Sequence, residues 1–342
     1  MQPKFKRTVA PKLRTFISFF LVLFLLILST KGIMVLSGFM ERTGMTPRTV
    51  AGLLSDSGTD LSPIHNRVNV VLLGIGGGNH DGADLTDTIL ILSFNTVNHT
   101  LGMISVPRDI WSNTLKDKVN SAYHYGEEKK KGGGLILSKA IISDMAGIPI
   151  QYGIMFDFTK FQQIIDLVGG ITIDVPEAFT DAQYPIAGRE NDPCGGDLTY
   201  ACRYETLHFA AGVQTMDGVR ALKYVRSRHA SGAEGNDFAR GRRQQQVILA
   251  LKNKLTSVQV TTNPVKMIAL YHAFDDASDT DLNLGQLLTV GKLFLRVGGD
   301  RITRISIEDL LYAPPESWYG AFVLVPKDSF DTIHKYVLSQ LK

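Results

Sequence analysis

Apolar residues dominate the first 40 positions of the chain after a short basic start. Residues 16–28 are almost entirely apolar, and a second apolar run follows at 33–40. Five lysines and arginines and no acidic residue precede them in residues 1–14. Because roughly 20 apolar residues in a helix cross a bilayer core, the pattern predicts one transmembrane helix over residues 15–40. The basic flank predicts a cytoplasmic tail and an extracytoplasmic location for everything that follows.

A cleaved signal peptide would also combine a basic start with an apolar run. The sequence directly after Leu28 does not form a convincing small-residue cleavage site, which favours an uncleaved anchor. Residues 41–66 contain Gly, Ser, Thr, Pro and Asp with little periodicity. They are predicted to form a spacer between the membrane and the remainder of the chain.

From residue 67 onwards, short apolar runs alternate with stretches of helical spacing. Short apolar runs, several of them ended by Gly, Pro or Asn, predict strands, at residues 68–74, 88–94, 101–106, 152–156, 171–175, 302–307 and 322–325. Apolar positions three or four residues apart predict helices, at residues 135–146, 158–167, 238–255 and 329–341. The alternation predicts a single layered α/β domain over residues 67–342 with a mixed β-sheet.

Composition adds two constraints. Hydrophobic residues make up 44% of the chain and charged residues 20%, which is typical of a globular protein. A net charge of only +3 argues against nucleic-acid binding, which favours a strongly basic domain. The two cysteines, Cys194 and Cys202, lie in a loop rich in Gly, Asp and Pro. An oxidising compartment would favour a disulfide between them, and a reducing one two free thiols.

The first candidate for chemistry is a glycine-rich segment between two predicted strands, residues 74–87. Glycines let backbone N–H groups approach an anion closely, and Asp81, Asp84 and Asp87 could hold a hard cation such as Mg²⁺. No Gly-Lys-Ser/Thr follows, and a strand rather than a helix comes next. These features exclude a phosphate-binding P-loop and a dinucleotide fingerprint. An ordinary Gly/Asp turn is the alternative.

A second candidate is Arg108-Asp109, which directly follows a predicted strand and Pro107. An arginine at a strand end can form a forked contact with a phosphate. Asp109 could orient that arginine, bind a cation or accept a proton. The alternative is a turn that ends the strand and carries a surface ion pair.

A third candidate is a cluster of arginines in residues 220–243. Arg226 and Arg228 are two apart, which would place both on one face of an extended segment. Arg240 and Arg243 are three apart and share a face at the start of a predicted helix. Cations there oppose the helix dipole, which costs stability unless an anion is near. A phosphate or pyrophosphate would supply that anion; a solvated basic surface, or an arm for nucleic acid or anionic lipid, is the alternative.

Taken together, these residues resemble the LytR–CpsA–Psr family. The resemblance extends from about Asn69 to the C-terminus behind a membrane anchor, and it rests on the order and spacing of the motifs. The matching stretches are residues 70–74 (VVLLG), 86–88 (TDT), 105–109 (SVPRD), 119–123 (VNSAY), 161–170, 221–228 (ALKYVRSR), 237–240 (DFAR) and 243–245 (RQQ).

The resemblance implies an α/β/α layered fold with an apolar pocket for a prenyl chain. It implies an extracytoplasmic phosphotransferase that moves a glycopolymer from a polyprenyl-pyrophosphate carrier onto peptidoglycan. By this resemblance, the pyrophosphate would be held by Arg108, Arg226, Arg228, Arg240, Arg243 and Gln244. Asp87 would bind Mg²⁺. Asp109 or Asp237 would order the arginines, and one of the acids would act as a base.

The sequence departs from the family pattern on the metal side. Gly76 stands where the family often has an aspartate, and Leu85-Thr86 replaces an Arg-Ser pair. One metal ligand and one arginine are therefore missing from their usual places, and Asp81 is the hypothesised replacement ligand. A prenyl-pyrophosphate hydrolase and a non-enzymatic membrane-bound sensor of lipid-linked intermediates are the alternative functions.

Overall fold

The computed structural model describes residues 61–77, 82–189, 191–230 and 232–342, together with Met34, Ser37 and Gly38. The chain divides into two compact units, Met1–Gly58 and Thr59–Lys342. Apart from those three residues, the predicted transmembrane helix at 15–40 lies outside the described residues. In the part of the chain that is described, no helix is both long and apolar enough to cross a membrane.

Fourteen strands and nine helices lie within the described ranges of the second unit. The strands are β1 (Arg67–Ile75), β2 (Thr86–Asn95), β3 (Leu101–Ser105), β4 (Trp111–Ser112), β5 (Asp117–Lys118), β6 (Tyr152–Asp157), β7 (Ile171–Val175), β8 (Phe179–Pro185), β9 (Tyr204–Phe209), β10 (Gly212–Met216), β11 (Ser278–Thr280), β12 (Ile302–Ser306), β13 (Leu311–Tyr312) and β14 (Val325–Pro326). The helices are α1 (Ala122–Lys129), α2 (Gly133–Ala146), α3 (Phe158–Leu167), α4 (Gly218–Arg226), α5 (Asp237–Leu255), α6 (Val258–Thr261), α7 (Pro264–Ala277), α8 (Leu284–Arg296) and α9 (Phe330–Gln340).

The central sheet is mixed, as predicted, and has six strands in the order β11-β6-β1-β2-β3-β12. Strand β1 pairs in parallel with β6, and β3 in parallel with β12. Strand β2 runs antiparallel to both β1 and β3. The carboxyl ends of β6, β1, β3 and β12 therefore meet at one edge, which we call the carboxyl edge. In open α/β sheets, ligands bind outside this edge.

Helices cover both faces of the sheet. Successive residues of a strand point to opposite faces, so Val71 and Leu73 of β1 pack with α1, α2 and α9. Val68 and Val70 of the same strand pack in a second core with residues of α5 and α8. The result is the α/β/α layering that the family resemblance implies. The continuous apolar runs in β1 to β3 are explained by burial on both faces.

A third hydrophobic core lies beside the sheet. It joins α3, α4 and α7 to two small antiparallel ribbons, β7 with β10 and β8 with β9. Phe179 and Phe209 stack at 5.0 Å between ring centroids in its interior. In the loop between β8 and β9, Cys194 and Cys202 form a disulfide, which confirms the pairing that an oxidising compartment would favour.

Two local predictions are wrong. The strand predicted over residues 322–325 is reduced to β14, Val325–Pro326, which pairs only with β13. The segment of Arg226 to Arg228 is not extended throughout, because Arg226 is the last residue of α4. Asp217 caps the start of that helix by accepting a hydrogen bond from the Arg220 N–H at 2.8 Å. A local cap thus outweighed the poor helix propensity of the Gly218-Val219 start.

Candidate functional site

Arg108 lies at the carboxyl edge, immediately beyond β3. Leu90 of β2 faces Ser105 of β3, so three residues further along this antiparallel register Asp87 comes opposite Arg108. The guanidinium donates a hydrogen bond to the Asp87 carboxylate. Sequence reasoning named both residues, but only the register of the two strands makes them partners.

The neighbouring Asp109 is buried, with 4% of its surface exposed. Its carboxylate lies 3.5 Å from Arg108 Nε on one side and 2.7 Å from Lys118 Nζ on the other. A buried carboxylate between two cations holds them in place. This is the arrangement of an acid that orients Arg108, one of the three roles considered for Asp109. Sequence reasoning missed Lys118, which reaches the site because β5 pairs back onto β4.

Helix α5 packs its first turns against the same edge. The Gln244 side-chain amide donates to Thr88 Oγ1 at 2.6 Å, and that of Gln245 to Ser105 Oγ at 2.9 Å. Gly241 allows this close approach, since a Cβ there would lie 3.3 Å from Ser105 Oγ. Arg240, four residues before Gln244, lies on the same side of the helix and is 5% exposed.

Arg243 has a different environment from Gln244. Adjacent helix residues point about 100° apart, and Arg243 is directed towards α4 and β8. It is 1% exposed. Its Nε donates to Tyr224 O at 2.9 Å and its Nη2 to Ser227 O at 2.6 Å. Its Nη1 donates to the backbone oxygen of Glu234 at 3.0 Å and to that residue's carboxylate at 2.7 Å.

Arg226 and Arg228 flank Ser227 at the end of α4, and both are partly buried. Asp181 of β8 holds this turn. Its carboxylate accepts hydrogen bonds from Ser227 Oγ at 2.7 Å, Arg228 N at 3.0 Å and His229 N at 3.2 Å. Burial of Asp181 would raise its pKa, but these hydrogen bonds hold the pKa below its usual value. Asp181 therefore carries a negative charge inside the protein.

Sequence reasoning missed Asp181 and Glu234 as well as Lys118. Asp181 lies 46 positions before Ser227, its hydroxyl partner, and no local motif connects them. Glu234 lies in the linker between α4 and α5, where an acid is ordinarily read as a solvated loop residue. The available signal was the excess of arginines in residues 220–243, whose mutual repulsion a nearby anion would reduce.

The structure describes only part of the predicted metal site. Asp81 lies outside what the structure describes, and so does the side chain of Asp237, which was predicted to order the arginines. Asp84 accepts a hydrogen bond from His124 Nδ1 at 2.6 Å, and this contact raises the pKa of His124. Among the described residues, one group of three ligand-type side chains is close enough for a metal, Asp192 with Cys194 and Cys202. Because those cysteines are joined in a disulfide, they offer no thiolate ligands.

Apolar side chains of β6 and α3 belong to the third core and are candidates for lining the apolar pocket that the resemblance implies. Ile164 and Ile165 of α3 are buried in it, while Phe156, Phe158, Phe161 and Leu167 pack against it partly exposed. Phe158 also covers β1, since its ring fills the space that a Cβ at Gly74 would occupy. The partly exposed side chains are those that an apolar ligand could still contact.

The family model of the LytR–CpsA–Psr proteins (LytR_cpsA_psr family) matches residues 52–334. A protein of Oceanobacillus iheyensis, the polyisoprenyl-teichoic acid–peptidoglycan teichoic acid transferase TagU, is 30% identical over 246 residues, or 70% of this chain and 67% of that protein. The chain spans between about half and two thirds of the length of the curated relatives it matches.

Two solved structures share the fold. Bacillus subtilis TagV has a TM-score of 0.57 at 22% identity, with 82% of this chain and 98% of that chain covered. The protein YwtF (TagT), solved with bound octaprenyl pyrophosphate lipid, has a TM-score of 0.53 at 20% identity, with 82% and 93% covered. With a family match across most of its length and the same architecture, the chain belongs to the LytR–CpsA–Psr family.

Proposed function

We propose that this protein is a phosphotransferase of cell-wall assembly. It would transfer a glycopolymer from a polyprenyl-pyrophosphate carrier to peptidoglycan. The observation that carries the proposal is the arrangement at the carboxyl edge, where Arg108 is held by Asp87 and Asp109 and where Gln244 of α5 contacts β2. Two relatives support the same chemistry, one named a teichoic acid transferase and one solved with octaprenyl pyrophosphate.

Cleavage of a pyrophosphate diester requires that the charge on the leaving phosphate be neutralised as the bond breaks. Preorganised guanidiniums do this at little cost when their own partners already orient them. Arg108 satisfies this condition through its two aspartate partners. Arg226, Arg228, Arg240 and Gln244 are the further residues proposed to contact the phosphates.

The acceptor hydroxyl must lose a proton to a base within hydrogen-bond reach. Asp109 fits that role poorly, because it is buried between two cations that stabilise its ionised form. We assign it the orientation of Arg108. Asp237 is the acid proposed for proton transfer, whereas Asp87, whose side chain is 34% exposed and which already contacts Arg108, is assigned to the cation.

Mg²⁺ is proposed as the cofactor. This ion prefers one or two carboxylates together with phosphate oxygens and water. Asp87 supplies one carboxylate at the carboxyl edge, and Asp81 is proposed as the second. The donor set fits an ion shared with the substrate rather than a site built from protein groups alone. When bound, the ion would neutralise phosphate charge alongside Arg108.

The membrane topology completes the proposal. Residues 15–40 would anchor the chain, residues 1–14 would remain cytoplasmic, and the described domain would act outside the membrane. A lipid-linked substrate suits this arrangement, because the carrier's prenyl chain and the enzyme would occupy the same bilayer.

The proposal is tested with the full chain in membrane vesicles, a radiolabelled polyprenyl-pyrophosphate-linked teichoic acid precursor and purified peptidoglycan. The expected result is label bound to peptidoglycan. Release of label without transfer would indicate the hydrolase, and binding without turnover would indicate the sensor. Arg108→Lys should lower transfer at least tenfold, because an ammonium cannot make the forked contact. Arg304→Lys, at an exposed position of β12, is the matched control and should leave transfer unchanged.

A further inference from the structure

The segment of residues 224–230 carries Arg226 and Arg228 and is contacted on both sides by buried charged side chains from other elements, Asp181 of β8 and Arg243 of α5. We infer that Asp181 and the Arg243–Glu234 pair are positioning residues that fix these two arginines for phosphate binding, and that Arg243 is not itself a phosphate ligand. The inference rests on the proposed function for what the arginines bind.

We call Asp181 together with the Arg243–Glu234 pair the clamp, and Asp181 forms one side of it. It is fully buried and binds the turn through three groups at successive positions, the Ser227 hydroxyl and the backbone N–H groups of Arg228 and His229. Its other carboxylate oxygen accepts from Gln183 N at 3.0 Å within β8. A carboxylate with four such donors is satisfied without any cation. It therefore acts on the turn through the Ser227 hydroxyl and the backbone N–H groups of Arg228 and His229.

Arg243 forms the other side. A guanidinium has five N–H donors, and Arg243 makes four hydrogen bonds, to the backbone oxygens of Tyr224, Ser227 and Glu234 and to the Glu234 carboxylate. The guanidinium carbon also lies 4.9 Å from the centre of the Phe179 ring. At 1% exposure, Arg243 offers no open face to a phosphate.

Glu234 supplies an anion next to the arginines at the start of α5. Two arginines in the first turns of a helix oppose the helix dipole, and burial of Arg243 adds a desolvation cost that lowers its pKa. The Glu234 carboxylate, 2.7 Å from Arg243 and 3.5 Å from Arg242, offsets both effects. The need for an anion at this helix is thus met from within the protein, before any phosphate arrives.

Ser227 links the two sides. Its hydroxyl donates to Asp181 and its backbone oxygen accepts from Arg243, and it lies directly between Arg226 and Arg228. A shift of Asp181 or of Arg243 would therefore move both flanking arginines. Misplacement of a contact by about 1 Å can weaken a catalytic arrangement about a hundredfold. For this reason the clamp should affect binding as well as stability.

The clamp itself is tested by hydrogen–deuterium exchange on the full chain in detergent micelles. Asp181→Asn replaces one acceptor oxygen by a donor, and Glu234→Ala removes the partner of Arg243. Both variants should exchange the amides of residues 225–230 at least tenfold faster than wild type. Asp166→Asn is the control, because Asp166 also accepts from a backbone N–H, that of Gly218 at 2.8 Å, but not from this segment. Exchange as slow as in wild type would overturn the clamp.

Positioning is tested by calorimetric binding of farnesyl pyrophosphate. Asp181→Asn and Glu234→Ala each remove a negative charge near a polyanion site, so electrostatics alone would strengthen binding. If the two residues position the arginines, their replacement should instead weaken binding, and we expect both variants to bind farnesyl pyrophosphate at least fivefold more weakly than wild type. In an Arg226→Ala/Arg228→Ala background, the effect of Asp181→Asn should fall to twofold or less, because both arginines that it positions are gone. Stronger or unchanged binding in the single variants, or an undiminished effect in that background, would overturn positioning.

The two measurements separate this inference from the proposed function. If wild type does not bind farnesyl pyrophosphate saturably, the proposed pyrophosphate site is refuted, and so is positioning for phosphate. The exchange result then still decides whether the clamp exists. If wild type binds and the variants exchange faster without loss of affinity, the proposed function stands and positioning is refuted.

Discussion

Replacement of Arg243 by methionine should destabilise the protein more than any exposed arginine replacement. Methionine keeps much of the apolar length of the side chain, so the change mainly removes charge and hydrogen bonds. The backbone oxygens of Tyr224 and Ser227 lose their Arg243 donor. Glu234 loses its closest cation, at 2.7 Å.

Removing one partner of a buried ion pair costs about 3–5 kcal/mol. We expect the lower end of that range, about 3 kcal/mol, because the Glu234 side chain is 18% exposed and retains Arg242 at 3.5 Å. A domain of roughly this size loses about 2–4 °C of melting temperature per kcal/mol. The melting temperature should therefore fall by about 6–12 °C.

The assay is urea unfolding followed by far-ultraviolet circular dichroism, with a thermal scan alongside. Arg242→Met is the matched control, because the Arg242 side chain is 54% exposed and an exposed ion pair contributes less than about 1 kcal/mol. If Arg243→Met lay within about 1 kcal/mol of wild type, the four hydrogen bonds of Arg243 could not be stabilising the segment, and the reasoning would be refuted.

Three further predictions concern other parts of the domain. Replacing Cys194 and Cys202 with serine should lower the free energy of unfolding by up to about 2.5 kcal/mol, the loop-closure entropy of a short loop, and wild type in dithiothreitol should show the same loss of melting temperature. Gly77→Ala should cost about 1–2 kcal/mol in urea unfolding, because Gly77 has a φ of +64° that disfavours a side chain; equal stability would argue against that conformation. His124 should titrate by NMR with a pKa above the usual value of about 6.5, since the hydrogen bond to Asp84 raises it. The His124–Asp84 pair therefore stabilises the fold below about pH 6.5, and this contribution is lost as the pH rises through the pKa of His124 in the folded protein. If the Asp84→Asn variant did not lower the pKa of His124, this prediction would be contradicted.

The central layers could be predicted from the sequence because their signals are local. The apolar runs of β1, β2 and β3 end at glycine, asparagine or proline. Continuous apolar runs of this length are typical of strands that are buried on both faces of a sheet. The predicted helix at 238–255 matches α5 to within one residue. The β8–β9 ribbon, α4, α7 and α8 were missed, because their shorter or more polar segments carry no clear period.

For the site, the sequence by itself determined which chemistry was available: arginines in two groups, aspartates near strand ends, and the motif order of the LytR–CpsA–Psr family. Only the tertiary structure decided what each of them contacts. Arg240 and Arg243 are three residues apart and were predicted to act together, yet the structure directs Arg243 to backbone oxygens and Glu234. The physical reason is that a buried guanidinium must satisfy its donors wherever acceptors lie. Those acceptors are set by how α4, β8 and α5 pack, which spacing along one segment cannot encode.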